Sequence, residues 1–542
     1  MDSFDYIIVG AGSAGCVLAE RLSSDPARRV LLLEAGGSDR RFWIRTPIGY
    51  GKAFHDPTVN WRYLCEPDPG LGGRSAYWPR GKVLGGSSSI NAMVYCRGLA
   101  SDYDDWQAAG NPGWGWSDVE PVFRSNERHV SADGAVHGQG PVWVSHREPE
   151  YHPVKRFFLD AAREIGIPVT GDMNGTSPEG VGAYPVTTRR GLRCSAADAF
   201  LRPAMGRANL AVRTRVLVRR VLIEGGRATG VEYQAGAQVV RVAATGEVLL
   251  SAGAINSPQL LQLSGVGPAP LLRRHGIAVL RDNPAVGGGL RDHLGISYFY
   301  RASQPTLNGV LGSWVGRCGA GLQFVLRRSG PLSLSVNQMG GMVRSDPALD
   351  RPDIQLYFSP ISYTTETIGK RQLLRPDPYP GFILGFNACR SSSTGRVDIA
   401  SGDPAAPPCI APNYLSAPGD IADAITGARL IGRLQTTQAM RSLILGTPAL
   451  DLSSASDEAI VQDFRARAGS VYHPCGSCAM LPESAGGVVD AQLRVYGIAG
   501  LRVIDASVFP SIPSANTNAP AMMVARKAAH LISTSRQEST HA

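Results

Sequence analysis

Three glycines and one glutamate in this chain have the types and spacing to hold a diphosphate. Gly10, Gly12 and Gly15 form a Gly-x-Gly-x-x-Gly run, and Glu34 lies 19 residues beyond Gly15. In such a turn the first glycine permits the tight reversal and the second lets the backbone approach a pyrophosphate. The third lets the following helix pack close to its sheet. The N–H groups at the start of that helix, where Ser13 stands, face the phosphates, and the glutamate accepts from a ribose hydroxyl. The chemistry implied is binding of a dinucleotide cofactor. The pattern alone admits NAD or FAD; its place at the very start of the chain favours FAD.

These residues need strands and a helix to set them in place, and the flanking sequence predicts both. Asp5-Tyr-Ile-Ile-Val is an apolar run suited to a buried parallel strand, Ala14-Gly-Cys-Val-Leu-Ala-Glu-Arg-Leu22 reads as a helix, and Val30-Leu-Leu-Leu-Glu34 reads as a second strand. Between 210 and 250, Leu210-Ala-Val-Arg, Val216 to Ile223, Ala228 to Tyr233 and Glu247-Val-Leu-Leu250 read as short strands split by turns. Ser251-Ala-Gly-Ala-Ile-Asn-Ser-Pro then reads as another strand-to-helix turn, so the cofactor domain resumes there. Residues 35–80 carry Gly, Pro and aromatics without sustained periodicity, the texture of a lid or cofactor cover. Strand-like pieces at 353–358 and 382–386 and an amphipathic helix near 420–436 predict a separate substrate domain.

Three further stretches have chemical character. The loop from Tyr77 to Met93 contains Gly-Lys-Val-Leu-Gly-Gly-Ser-Ser-Ser-Ile-Asn, whose small residues suit contact with phosphates or a flat ring. Tyr472-His473-Pro-Cys-Gly-Ser-Cys holds a histidine in a turn stiffened by Pro and Gly. Leu501 to Met523 runs from strand to helix, with Asn516-Thr-Asn518 offering caps and Pro520 placed in a first helical turn. Cys475 and Cys478 form a C-x-x-C, but no second pair exists to complete a zinc site, so they read as packed free thiols and no metal is expected.

The totals exclude several classes. At 542 residues the chain is long enough for two or three domains, and 43% apolar with 18% charged residues is a globular composition. A balance of 54 Lys and Arg against 45 Asp and Glu gives +9 with no long basic run, which argues against nucleic acid. No uninterrupted apolar stretch is long enough to cross a bilayer, and the first strand leaves no room for a signal peptide. The nine cysteines show no framework spacing, so a reducing, cytoplasmic setting is expected.

Taken together, the N-terminal fingerprint, the Gly-Gly-Ser-Ser-Ser-Ile-Asn block, Gly253-Ala-Ile-Asn-Ser-Pro258 and the two C-terminal segments resemble the glucose–methanol–choline (GMC) oxidoreductase family of FAD-dependent enzymes. The resemblance implies an α/β protein: a Rossmann-like FAD-binding domain formed by 1–150, 195–300 and 466–542, and an α+β substrate-binding domain, an antiparallel sheet flanked by helices, formed by 151–194 and 301–465. It further implies that Gly10, Gly12, Ser13 and Gly15 hold the pyrophosphate and Glu34 the ribose. Gly86, Ser87 and Asn91 would line the flavin or its phosphates, Val216 the adenine region, Asp505 the ribityl–phosphate chain and Asn518 the pyrimidine end of the flavin.

His473 matches the family's catalytic histidine and Asn516 its second active-site residue. The implied reaction is oxidation of a primary alcohol to an aldehyde, His473 taking the hydroxyl proton while hydride passes to flavin N5. Ile90 stands where some members carry a histidine that links FAD covalently, so non-covalent FAD is expected. Gln338 stands in the stretch where choline-oxidising members carry a glutamate, which disfavours choline; Trp61 is a candidate for an apolar pocket. The electron acceptor would be dioxygen or a quinone-type carrier, with a dehydrogenase preferred to an oxidase. The resemblance also covers hydroxynitrile lyases, which keep FAD without using its redox chemistry.

Overall fold

A computed structural model describes residues 2–368, 371–446 and 450–541, apart from the side chains of 366–368, 371–373 and 535–541. The chain begins with strand β1 (Ser3–Val9), helix α1 (Ser13–Leu22) and strand β2 (Val30–Glu34). β2 is buried along its whole length and β1 along its second half, the pattern of parallel strands covered on both faces. Further strands follow at β3 (Leu210–Thr214), β4 (Val216–Glu224), β5 (Arg227–Ala235) and β6 (Gln238–Leu250). The sheet runs β3-β2-β1-β6-β5-β4. β1, β2, β3 and the end of β6 are parallel, while β4, β5 and the start of β6 form an antiparallel meander.

β6 is longer than its apolar stretch predicts, because it serves two partners. Its first half pairs with β5 and keeps several exposed side chains, and its second half inserts beside β1 and is buried. From its end, helix α2 (Gly253–Leu263) leaves as the second strand-to-helix turn.

The other large sheet comprises β7 (Leu294–Ala302), β8 (Met339–Val343), β9 (Ile354–Ser359) and β10 (Gly381–Ala388), with helix α3 (Trp314–Arg327) between β7 and β8 and helix α4 (Pro418–Gln435) after β10. Its order is β8-β9-β10-β7, all antiparallel, and the two-residue strands Ile444–Leu445 and Gly469–Ser470 also pair with β7. Side chains alternate across an extended strand. On β9, Leu356 and Phe358 join the core shared with α4, while Tyr357 and Ser359 face a cavity between the two sheets. The chain then returns to the first sheet, where β11 (Leu501–Val503) lies parallel to β6 and helix α5 (Asn518–His541) packs on α1.

Candidate active site

One cavity of about 660 Å³ joins the ends of β1 and β2 to the His473 turn. Gly10, Gly12, Ser13, Glu34, Gly86, Ser87, Asn91, Val216, Asp505, Asn516, Asn518, His473 and Trp61 all line it. The segment read as a cover contributes Tyr50, Phe54, His55, Trp61 and Tyr77 to its wall.

At the β1 end the backbone is drawn in as tightly as glycine allows. Gly10 has φ +98°, and a Cβ there would sit 2.6 Å from the Ser251 carbonyl oxygen. A Cβ on Gly86, at φ +54°, would meet the Gly12 Cα at 2.6 Å. A Cβ on Gly12 itself would meet only Ser251 O, at 3.9 Å, and would otherwise project into the cavity. This open space at the start of α1, ringed by backbone, is a cradle for a diphosphate.

Glu34 closes the same end. Its two carboxylate oxygens accept the N–H groups of Ala11 (2.9 Å) and Gly36 (2.7 Å), and burial pushes its pKa up to about 7 against those two bonds. Each oxygen keeps a second lone pair for a ribose hydroxyl. Ser13 Oγ donates to Asn518 Oδ1 at 2.7 Å, so the start of α1 and the start of α5 are tied across the chain's two ends. Asp505 accepts from Gly253 N–H (2.8 Å) and Ser257 Oγ (2.6 Å), fixing the start of α2 beside the cavity. Asn91 Oδ1 accepts from the buried Arg193 at 2.7 Å. Replacing Glu34 by glutamine would turn an NH₂ group against one of the two backbone N–H donors. A loss of this kind costs about 1.5–3 kcal/mol, so cofactor affinity should fall about 10- to 100-fold, as read by FAD titration.

At the other end the hydrogen bonds assign the protons. His293 Nε2 lies 2.9 Å from the Cys389 carbonyl, which can only accept, so His293 carries its proton there. Its Nδ1 is therefore an acceptor in the neutral ring, and it faces His473 Nδ1 at 2.9 Å. His473 must donate from Nδ1, which leaves its Nε2 as a lone pair on the cavity side, 3.0 Å from Asn516 Nδ2. Burial, with the Arg80 cation adding like charge, holds the His473 pKa well below 6.5; burial holds His293 at about 4. Both rings are neutral at pH 7.

The backbone beneath His473 is clamped. Asp292 Oδ1 accepts the His473 N–H at 2.8 Å, and its other oxygen accepts from Tyr414 at 2.6 Å. Tyr472, at φ +70°, passes through the left-handed region, and its carbonyl accepts from Arg80 at 2.7 Å. A tyrosine in that region costs of order 1–3 kcal/mol and persists only where its surroundings enforce it. Asn516 Oδ1 is buried with no partner among the described residues, an acceptor left over for whatever enters the cavity.

Two site expectations move. Gly15 does not line the cavity; it sits behind the turn, where a Cβ would lie 1.8 Å from the Gly10 carbonyl oxygen. Gln338 does not line it either. Its side chain is buried and its oxygen accepts the His152 N–H at 2.8 Å, while the neighbouring Asn337 faces the cavity. Asp292 and His293 were not singled out from the sequence, although they hold the histidine that was. Cys475 and Cys478 are buried free thiols, pushed upward in pKa by burial.

Comparison with known proteins points one way. The models for GMC oxidoreductase match residues 4–295 and 391–525. An alcohol dehydrogenase [acceptor] from Pseudomonas putida is 42% identical over 98% of this chain and 95% of its own. The mitochondrial choline dehydrogenase of Homo sapiens is 42% identical over 98% of this chain and 90% of its own. A crystal structure of pyridoxine 4-oxidase from Mesorbium loti superposes with a TM-score of 0.86 at 30% identity, covering 97% of this chain and 98% of that one.

Proposed function

The chain belongs to the GMC oxidoreductase family, whose members use FAD to oxidise alcohols, and from that premise we propose that it oxidises a neutral primary alcohol, benzylic or aliphatic, to its aldehyde. The observation that carries this reading is the unprotonated His473 Nε2 turned toward the cavity by the His293 chain. FAD, when bound, supplies the acceptor for the hydride. Gly10, Gly12, Ser13, Glu34, Asp505 and Asn518 would hold it, and Ile90 offers only hydrocarbon where a covalent link would need a nucleophile.

The chain's own residues handle the proton. His473 Nε2 has one lone pair, which Asn516 occupies until substrate arrives. An alcohol O–H displaces that contact and donates to Nε2, and Asn516 N–H turns to the alcohol oxygen. As the proton moves to His473, Asn516 stabilises the negative charge growing on oxygen. The Nδ1–H bond to His293 keeps the imidazole from turning during the transfer.

Charge supports the substrate class. Among the described residues the carboxylates lining the cavity are Glu34, bound to backbone at the nucleotide end, and Asp505, spent on Gly253 and Ser257. The charged group of the cavity wall that acts on His473 is the cation of Arg80. Among the described residues no carboxylate lines the cavity beside His473, since Asp292 lies beneath its backbone outside the lining, and Trp61, Tyr363 and Tyr472 offer a surface for an apolar substrate.

Anaerobic mixing of the FAD-loaded enzyme with benzyl alcohol, 1-octanol and choline tests this. Bleaching of the flavin absorbance by the first two and not by choline is expected. Bleaching by choline alone would overturn the substrate class. Colour that no alcohol removes, with cleavage of a cyanohydrin, would replace oxidation by lyase chemistry. Readmitted dioxygen should restore the colour slowly, as for a dehydrogenase that passes electrons to a quinone-type carrier.

His293 is a positioning residue for this reaction. His293→Leu removes the acceptor for Nδ1–H and should lower kcat about 10- to 100-fold, the worth of one buried hydrogen bond that fixes a tautomer. It should also move the acid limb of kcat/KM to still lower pH, because the neutral His293 that accepts from Nδ1–H favours the protonated ring and leucine does not. His293→Asn, whose side-chain oxygen can accept from Nδ1, should recover part of both.

A further inference from the structure

Arg193 is a buried cation with no anion in contact. It ends the tight hairpin of Thr188–Arg189 and Leu192–Arg193, is 3% exposed, and makes no ion pair among the described residues. Its Nε donates to the Ile44 carbonyl at 2.9 Å, and its Nη1 donates to the Ser88 carbonyl at 3.1 Å and to Asn91 Oδ1 at 2.7 Å. Its Nη2 is buried with no partner among the described residues. Burial pulls the guanidinium down to about 9, which still leaves it protonated at pH 7. The carboxylate that acts on it, that of Asp198, is itself engaged by Arg202 at 3.1 Å. A buried charge whose acceptors are all neutral is costly unless negative charge comes within its reach.

Arg193 does not line the cavity, but it decides what Asn91 presents there. Both groups that reach Asn91 Oδ1, Arg193 Nη1 and the Met93 N–H at 3.1 Å, can only donate. The amide therefore cannot turn over. Its Nδ2 has no partner among the described residues and is left as a donor on the cavity side. A cation bonded to the amide oxygen polarises that donor and strengthens whatever bond it makes.

The loop that carries Asn91 runs from one end of the cavity toward the other. It begins at Gly86, whose missing Cβ lets it lie against Gly12 at the diphosphate cradle. It leads to Val94, which shares a small apolar cluster with Ala515, beside Asn516, and with Cys389, where the His293 chain stops. Asn91 thus stands between the diphosphate end and the His473 end, on the stretch of cavity a flavin ring would fill to take a hydride beside His473. Tyr50, whose phenol feels both the Arg193 cation and Tyr472, lines the same cavity.

Uptake of a hydride leaves the flavin with one more negative charge, so a fixed cation behind the wall favours the reduced form. We infer that Arg193 is a positioning residue that sets the reduction potential of the bound FAD: it holds Asn91 Oδ1 so that Nδ2 donates toward the ring, and its unpaired charge stabilises the ring once the hydride has arrived. The placement of the ring rests on His473 as the base, but the potential is read without any alcohol.

Reductive titration of the FAD-loaded chain against a reference dye tests this. Arg193→Met should lower the ratio of reduced to oxidised flavin at a given potential about 10- to 100-fold, the worth of a hydrogen bond to a charged group. For a two-electron couple that is a shift of about 30–60 mV to more negative values. By linkage the variant should bind oxidised FAD nearly as the parent does and lose the same factor on reduced FAD. Arg193→Lys, which keeps the charge, should recover part of the shift. A merely structural Arg193 would weaken both forms of the cofactor equally or lower the melting temperature, with the potential unmoved, and that result overturns the inference. If Arg193→Met fails to retain flavin, Asn91→Ala decides. It removes the oriented donor and should shift the potential in the same direction; an unchanged potential there overturns the inference as well.

Discussion

Replacing His473 by alanine should lower turnover about 10²- to 10⁴-fold, the usual worth of a positioned general base, with FAD content unchanged. The site explains why the loss is confined to chemistry. His473 touches His293, Asn516 and Asp292, the last through its backbone N–H, which alanine retains. The contacts that would hold the nucleotide come from Glu34, Ser13 and the glycines at the far end of the cavity. The pH profile is the second readout. A base works only when unprotonated, and the His473 pKa lies well below 6.5. In the parent, kcat/KM should therefore stay level from neutral pH down past 6.5 and fall only as pH drops through the depressed value. Stopped-flow flavin reduction at several pH values measures both. Near-parental turnover in His473→Ala would sink the assignment of the base.

Gly15→Val should abolish stable FAD binding. The added Cβ would lie 1.8 Å from the Gly10 carbonyl oxygen and 2.7 Å from Ser251 Oγ. A backbone oxygen cannot yield as a flexible side chain can, so α1 must withdraw from β1 and open the turn. Overpacking costs about 1–3 kcal/mol or more, enough to weaken FAD about 5- to 150-fold or more. The ratio of flavin to protein after gel filtration reads the loss. Gly12→Ala is the control: its Cβ meets only Ser251 O at 3.9 Å, so the fold has room for it and any loss of FAD reports the cofactor's own space. A Gly15→Val protein that keeps its flavin would show that the turn tolerates displacement.

What was legible in the sequence was what depends on near neighbours. The fingerprint glycines and Glu34 lie within one strand–helix–strand unit, so their spacing specifies their geometry, and β1, α1 and β2 fall where the apolar runs place them. His293 was not legible, because it meets His473 from 180 residues away and no local pattern distinguishes it from a core histidine. Gln338 failed by one residue. Successive side chains of extended backbone point to opposite faces, so a shift of one position exchanges Asn337, which faces the cavity, for Gln338, which faces His152.

The donor chain behind His473 stops at the Cys389 carbonyl, and a carbonyl cannot take a proton onward. The histidine pair is thus a cul-de-sac. A proton collected from the alcohol has two rings to occupy, both reluctant to be charged, and no exit through the protein behind them. It must go back the way it came, past Asn516 and out through the cavity. Product departure and proton departure therefore share one doorway, and His473 is a base again only once both have passed through it.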